Sequence, residues 1–509
     1  MGNSTDLEVR RTIESTSRTG TGYQIAAKIK PNQFRGNPIS QSNNQTPTNR
    51  LAKKPSIGFF TLVCLIVGNM IGVGVYVGSY YSLLSLQDAR LVLLVWFIGG
   101  IHAICGAIAY GAVASRLPVS GGEYSYLSRC VHPAIGFIAG WISIIAGFTA
   151  PIAASALLLG KYLVGADPAG ASASDSISRV RIIATASILV AAALHAFHLK
   201  VGTAFNNIVI VIKLACFSFF LVVGIPFVLK ANNTGILTGP TSGSVDTASI
   251  VARLQQPEIL MSMIVSLFYV SLAYTGFNAS IYLAGEVEKE TDIRHRRNFV
   301  SRSMWVACVL VMLLYLLLNF VFLYGLSPER IAESGEGYVA DVAENIGGNG
   351  LSRVIRFAII LSAATSILAM MATGPRVYAQ MAEDGRLPKF FQISHHVPRI
   401  AIFVQASLSC LVVWISDIEG IIKFLGLTLT ACGALAVSSI WFAKKNFITE
   451  IPVRWYEHVA TSLYVAGAVL FLGVASQREP NQFWLCLGAF ATGALVYGAA
   501  TVRRRRNEK

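Results

Sequence analysis

CLIVGNMIGVGVYVGSYY, residues 64–81, reads as a membrane helix with an interruption built into it. Four glycines, Gly68, Gly72, Gly74 and Gly78, stand in an otherwise apolar run. Glycine weakens a helix interior unless close packing or a break makes use of it. Gly68-x-x-x-Gly72 fits a helix-packing face. Gly72-Val73-Gly74 does not, because glycines two positions apart lie on different faces; a packing seam has no use for both, whereas an unwound segment does. A second soft spot, Ala273-Tyr274-Thr275-Gly276-Phe277-Asn278, interrupts SLFYVSLAYTGFNASIYLAGEV at residues 266–287. Asn278 in mid-span is expensive in lipid and implies a polar cavity or a partner helix.

Working outward, apolar windows long enough to cross a bilayer, about 20 residues each, recur twelve times between residues 57 and 501. The two soft spots fall in the first and sixth windows, the opening helices of two five-span units. An odd number of spans inserts the second unit upside down relative to the first, the arrangement of an inverted-repeat transporter with its site at the midplane. The predicted fold is therefore an all-α integral membrane protein of twelve transmembrane helices. A 5+5 inverted-repeat core occupies residues 56–445 and two additional helices 446–502, with tails at 1–55 and 503–509. Unwinding frees amide N–H groups at a half-helix N-terminus, where the dipole stabilises an anion such as a carboxylate. It also frees carbonyls that accept from an ammonium, and a zwitterionic α-amino acid presents both groups.

Only 13% of the 509 residues are charged, against about one-quarter in a soluble domain. The formal net charge of +15 raises the possibility of nucleic acid, but the placement of the basic residues argues otherwise. With the N-terminus inside, 29 of the 41 Lys and Arg fall on the inner side and 11 on the outer, leaving Lys213 within a span. The positive-inside rule then puts both termini in the cytoplasm, and Arg503–Arg506 serves as an anchor on anionic lipid. Residues 1–55 are polar, lack an apolar signal core, and carry Asp6 where myristoylation requires Ser or Thr. They are predicted to form a disordered cytoplasmic tail. An acidic loop over 327–350 faces outward with a short helix at 338–345, and Asn232-Asn233-Thr234 is an outer-side glycosylation sequon.

Lys213 lies about ten residues into the fifth span, in NNIVIVIKLACF. Long side chains near helix ends snorkel to the interface, but depth favours a coupling role for a buried ammonium able to exchange a proton. His102, His195 and His198 have no carboxylate partner on their faces and are assigned to packing or helix ends. Seven of the eight cysteines lie inside apolar segments and Cys130 in a loop, with no metal-ligand or CxxC spacing. No P-loop, nucleophile elbow, GxGxxG or HExxH occurs, so neither enzyme chemistry, a cofactor nor a metal is expected.

Three blocks carry a family resemblance. IGVGVY at residues 71–76 is similar to the IGSGIF of amino acid/polyamine/organocation (APC) superfamily permeases. RLPVSGGEYSYLSRCVHPAIGFIAGW, Arg116–Trp141, resembles their Pro-x-x-Gly-Gly-x-Tyr inner loop, and GPRVYAQMAEDGRLPKFF, Gly374–Phe391, resembles their signature after helix 8. AYTGFN is similar to the AYGGWN of L-type amino acid transporters and bacterial relatives. The resemblance implies a LeuT-like core in which the substrate carboxylate meets backbone amides at Ile71, Gly72, Val73 and Gly74. The amine would meet carbonyls near Leu272, Ala273 and Thr275, beside Gly276 and Asn278. Lys213 matches the helix 5 lysine that stands where a sodium ion otherwise bridges helices. Val73 departs from the usual Ser and Leu272 from an aromatic gate, and Glu286-Val287-Glu288 is followed by no proline. Residues 165–180 contain no cysteine, so no disulfide-linked heavy chain is expected.

The expectation is a multi-pass cell-membrane carrier of amino acids, coupled to protons or working by exchange through alternating access. No acidic residue is expected near the two soft spots to receive a cationic side chain, which favours neutral substrates. A cationic amino acid or polyamine exchanger, to which Asn69 in GNMIG bears a loose likeness, and a non-transporting amino acid sensor are the alternatives.

Overall fold

In lipid every backbone polar group must be satisfied within the protein, and a helix does this by itself. The computed structural model accordingly turns the apolar windows into helices. It describes residues 59–117, 122–165, 173–196, 203–234, 252–278, 281, 293–392, 398–442 and 452–507. The tail at 1–55, His198, the Glu286–Glu288 stretch and the far side of the second soft spot lie outside them.

The first window is two helices, α1 (Phe59–Met70) and α2 (Gly74–Leu86), meeting at 42° across Ile71, Gly72 and Val73. Next come α3 (Ala89–Arg116) and the short α4 (Gly122–Cys130). A continuous span follows, made of α5 (Pro133–Ile142), a π-helical segment (Ser143–Thr149) and α6 (Ala150–Val164). Then come α7 (Ala173–Ala196), α8 (Thr203–Thr234), α9 (Pro257–Ala273) and α10 (Ile293–Tyr324). After α11 (Pro328–Ser334), α12 (Tyr338–Glu383) bends at Gly347 and Gly348, the latter at φ 69°, so that 338–346 forms a short helix where the sequence predicts one over 338–345. The chain finishes with α13 (Arg399–Ile415), α14 (Ile418–Phe442), α15 (Trp455–Arg478) and α16 (Pro480–Asn507). The last turns of α16 contain the Arg503–Arg506 run.

Among the described residues nine helices are long and apolar enough to cross a membrane, and the bent α1–α2 pair passes the same test as a tenth. The apolar helices α9 and α13 are shorter. Close approach, rather than a hydrophobic drive between helices, holds such a bundle together. α3 and α10 illustrate it: a Cβ on Gly111 would sit 2.6 Å from the Ser301 hydroxyl and one on Gly100 2.4 Å from Met312.

A buried ion pair joins two of these helices. Arg116, fully buried at the end of α3, donates to Glu457 Oε2 at 2.7 Å and to the Ala112 and Pro452 carbonyls. Removing one member of a buried pair costs about 3–5 kcal/mol, so this contact fixes where α15 meets α3. Cys130 closes α4 and is buried, not placed in a loop as the hydropathy of its surroundings suggests. Burial pushes its thiol up to about 11, which leaves it unreactive at neutral pH.

Candidate functional site

The soft spot between α1 and α2 interrupts the helix across three residues. The last carbonyls of α1 are then free to take side-chain donors, and both do. Tyr315 of α10 donates to Met70 O at 2.7 Å, and Lys213 of α8 donates to Ile71 O at 2.6 Å, with Ser362 of α12 at 3.4 Å from the same oxygen. Lys213 is 2% exposed, so its ammonium turns into the bundle toward the break instead of snorkelling outward. On the other side of the break, the first amides of α2 have no intrahelical partner. The peptides of Gly72, Val73 and Gly74 thus present N–H groups at the positive end of a helix dipole.

The second soft spot begins where α9 stops at Ala273. Tyr274 still bonds Val270 O, but the Thr275 amide and hydroxyl both turn back to Leu272 O, at 3.0 and 2.6 Å. Gly276 then adopts φ +100°, a left-handed conformation that side chains disfavour. Its carbonyl accepts from Asn69 Nδ2 at 3.3 Å, tying the end of α1 to this turn. The two soft spots also touch directly. A Cβ on Gly74 would lie 2.5 Å from Ala273 Cα and 2.7 Å from Ala273 N, so the chain at Gly74 runs against the backbone of α9. Tyr315 completes the joint by standing within 3.1 Å of Ala273 O while bonding Met70 O.

A cavity of about 640 Å³ opens at this joint, and it is lined by both soft spots. Gly72, Val73, Gly74, Leu272, Thr275, Gly276, Asn278 and Lys213 all border it. Ile71 and Ala273 are turned away, 0% and 2% exposed; the Ile71 carbonyl accepts from Lys213, and Ala273 O lies 3.1 Å from the Tyr315 hydroxyl that donates to Met70 O. The lining runs down α1 as far as Leu65 but includes only the first residue of α2, so the space extends along α1 and is stopped toward the α2 end. Beyond that stop lies a polar and aromatic layer. Glu336 accepts from Lys161 at 2.6 Å and from Tyr81 at 2.8 Å; Tyr81 stacks on Tyr269, which donates to Glu419.

Two residues beside the soft spots escape a reading of the sequence. Glu123, buried on α4, borders the cavity and accepts from Asn278 Nδ2 at 2.7 Å and Tyr110 at 3.1 Å. The expectation that no carboxylate stands near the soft spots is therefore wrong. Glu123 belongs to a polar loop window 155 residues from Asn278, and only the return of α4 into the bundle brings the two together. Tyr315 is the other, visible beforehand only as a hydroxyl in the middle of an apolar span. His102 stacks on Tyr464 with ring centroids 4.5 Å apart and borders the cavity, as does His195.

Comparison with known proteins falls on the same side. A family model described as amino acid permease matches residues 57–493. The serine/threonine exchanger SteT of Bacillus subtilis (strain 168) is 25% identical over 83% of this chain and 93% of its own length. The large neutral amino acids transporter small subunit 2 of Mus musculus is 22% identical over 88% of this chain and 81% of its own. The b(0,+)-type amino acid transporter 1 of Mus musculus is 21% identical, covering 90% of each chain. All three relatives are transporters and none is an enzyme.

Proposed function

The chain belongs to the amino acid permease family, and from that premise we propose that it is a secondary transporter of α-amino acids working by alternating access. One observation carries the reading: backbone groups of both soft spots border a single cavity, with the amides of the α2 N-terminus beside the carbonyl turn that follows α9. A carboxylate fits the former and an ammonium the latter. If the two shorter apolar helices also cross, they bring the nine long helices and the bent pair to twelve, the number that the 5+5 inverted-repeat plan with two further helices requires, and the distribution of Lys and Arg favours both termini in the cytoplasm. On that topology the Glu336 layer lies outside, the cavity opens inward, and the protein rests in an inward-facing state.

Neutral amino acids are the favoured cargo, because Leu65, Leu272, Leu425, Leu429 and Phe148 give the cavity an apolar stretch of lining. Exchange of cationic amino acids is the second reading, and Glu123 favours it by placing a carboxylate on the lining next to Asn278. Lys213 couples transport to protons in a symport mode and serves as a fixed tether of the break in an exchange mode.

Purified protein in liposomes separates these modes. Uptake of a radiolabelled neutral amino acid is expected to be saturable. It is driven either by an inward proton gradient alone or only by the same amino acid preloaded inside, and competition by a cationic amino acid scores the second reading. Saturable binding without uptake under any gradient would contradict transport and leave a sensor.

A further inference from the structure

Past Tyr274 the chain leaves the helical ladder, and the turn from Thr275 to Asn278 has to be held from outside. Its near side has a long tie, with Gly276 O accepting from Asn69 Nδ2 at 3.3 Å. Its far side is held more tightly. Asn278 Nδ2 donates to Glu123 Oε1 at 2.7 Å, the length of a charge-assisted bond. The same oxygen accepts from the Tyr110 hydroxyl at 3.1 Å, and the Tyr110 ring meets Phe277 edge-on with centroids 5.7 Å apart. Two neighbouring residues of the turn, Phe277 and Asn278, are thus fixed by one cluster.

Glu123 reaches this place from a separate helix. Gly122 opens α4 at φ +61°, and Glu123 follows in the first turn, where the helix dipole favours a carboxylate. The next residue, Tyr124, donates to Asp384 Oδ2 at 2.6 Å, so α4 is also moored just beyond the end of α12. Glu123, Tyr110 and Phe277 are all buried. A carboxylate kept this dry is costly unless its hydrogen bonds are made, and ionisable groups inside a membrane bundle mark functional places. Because a carboxylate only accepts, the pair allows the Asn278 amide a single orientation, with its N–H toward α4.

We propose that Glu123 is a positioning residue of the binding site: through Asn278 it holds the turn whose carbonyls take the substrate ammonium, and it does not itself touch the substrate. An unbroken helix sets the direction of its own carbonyls. In this turn the Thr275 amide and hydroxyl fold back on Leu272 O and Gly276 is left-handed, so that guide is lost. The ties that remain are Asn69 at one end and Glu123 at the other. This role differs in kind from that of a receptor for a cationic side chain, since the carboxylate is engaged by two protein donors. The inference rests on the soft spots being the amino acid site and adds what keeps the ammonium end in place.

Exchanging donor and acceptor tests it with side chains of unchanged size. Asn278→Asp sets two carboxylates against each other and is expected to weaken binding of a neutral amino acid, titrated by thermal shift on the purified protein, about ten-fold or more. Glu123→Gln still accepts, but without charge, and is expected to weaken it about five-fold. The double variant Glu123→Gln/Asn278→Asp rebuilds a charge-assisted pair in reverse. It is expected to return to within about three-fold of the wild type, a recovery that general loss of stability would not produce. A double variant that binds no better than Asn278→Asp overturns the inference. If Asn278→Asp alone does not fold, Glu123→Gln decides: unchanged affinity for the neutral amino acid overturns it, and loss only of competition by a cationic amino acid would make Glu123 a side-chain receptor. Wild-type protein that binds no amino acid at all refutes the transport reading instead.

Discussion

Gly74→Ala is expected to abolish saturable amino acid binding, a loss of about 100-fold or more, while the protein still elutes as a folded species in detergent. The added methyl carbon would sit 2.5 Å from Ala273 Cα, 2.7 Å from its N and 2.9 Å from its Cβ. Two of these three atoms are backbone, so no rotamer change relieves the overlap. Carbon atoms rest about 3.5–4.0 Å apart, and α2 must therefore back away from α9 by roughly 1 Å. Overpacking of this kind costs about 1–3 kcal/mol, which a large bundle survives. A two-ended grip is less forgiving, because it depends on the spacing of the soft spots: a displacement of about 1 Å costs a site far more than it costs a fold. Gly72→Ala is the internal comparison, since its Cβ would meet only the Ser366 hydroxyl at 3.6 Å and Met70 O at 3.9 Å. Binding measured by thermal shift on both variants checks the contrast. Equal behaviour of the two would mean that the Gly74–Ala273 contact does not set the site.

Lys213→Met is expected to lower transport at least ten-fold and to flatten its dependence on pH. Methionine fills a similar volume but carries no donor. The Ile71 carbonyl would keep only the distant Ser362 hydroxyl at 3.4 Å, and leaving a buried acceptor poorly satisfied costs about 1–3 kcal/mol. That cost falls on the break itself, where the orientation of the Ile71–Gly72 peptide decides which way the following amides point. In a proton-coupled cycle the protonated amine makes a charge-assisted hydrogen bond to Ile71 O and the neutral amine only a weaker one, so loss of the proton loosens the break and the wild-type rate follows pH. Uptake into liposomes over a pH series, with Lys213→Arg as the charge-retaining comparison, measures this. A Lys213→Met protein that keeps the wild-type pH profile would reduce the lysine to a structural prop.

Much of the architecture was legible because membranes simplify the reading. Apolar windows gave the helices, and two glycines two residues apart gave the unwound turn at Ile71–Val73, which the structure places where the spacing required it. The depth of Lys213 pointed to a group with business inside the bundle, and it meets Ile71 O there. What stayed hidden depends on contacts distant in sequence. Glu123 looked like part of a solvated loop until α4 folded back onto Asn278. The π-turn at Ser143–Thr149 leaves no hydropathy signal, since one extra residue per turn hardly alters a periodicity read over a long apolar run. Pro151 is its only mark in the sequence, and a proline near a helix interior could equally have meant a kink. The commitment of Ile71 and Ala273 to the frame was invisible for the same reason, because Lys213 and Tyr315 reach them across 142 and 42 residues.

The central claim is that backbone groups of two broken helices hold both ends of a zwitterion, and a matched ligand set tests it most directly. The melting temperature of the purified wild-type protein would be followed with a neutral amino acid, its methyl ester and its deaminated acid, because a ligand that binds the folded state raises it. A rise with the intact amino acid, nearly lost when either the carboxylate or the ammonium is removed, is the expected result. Equal stabilisation by all three would contradict the account, since the soft spots would then be gripping neither end.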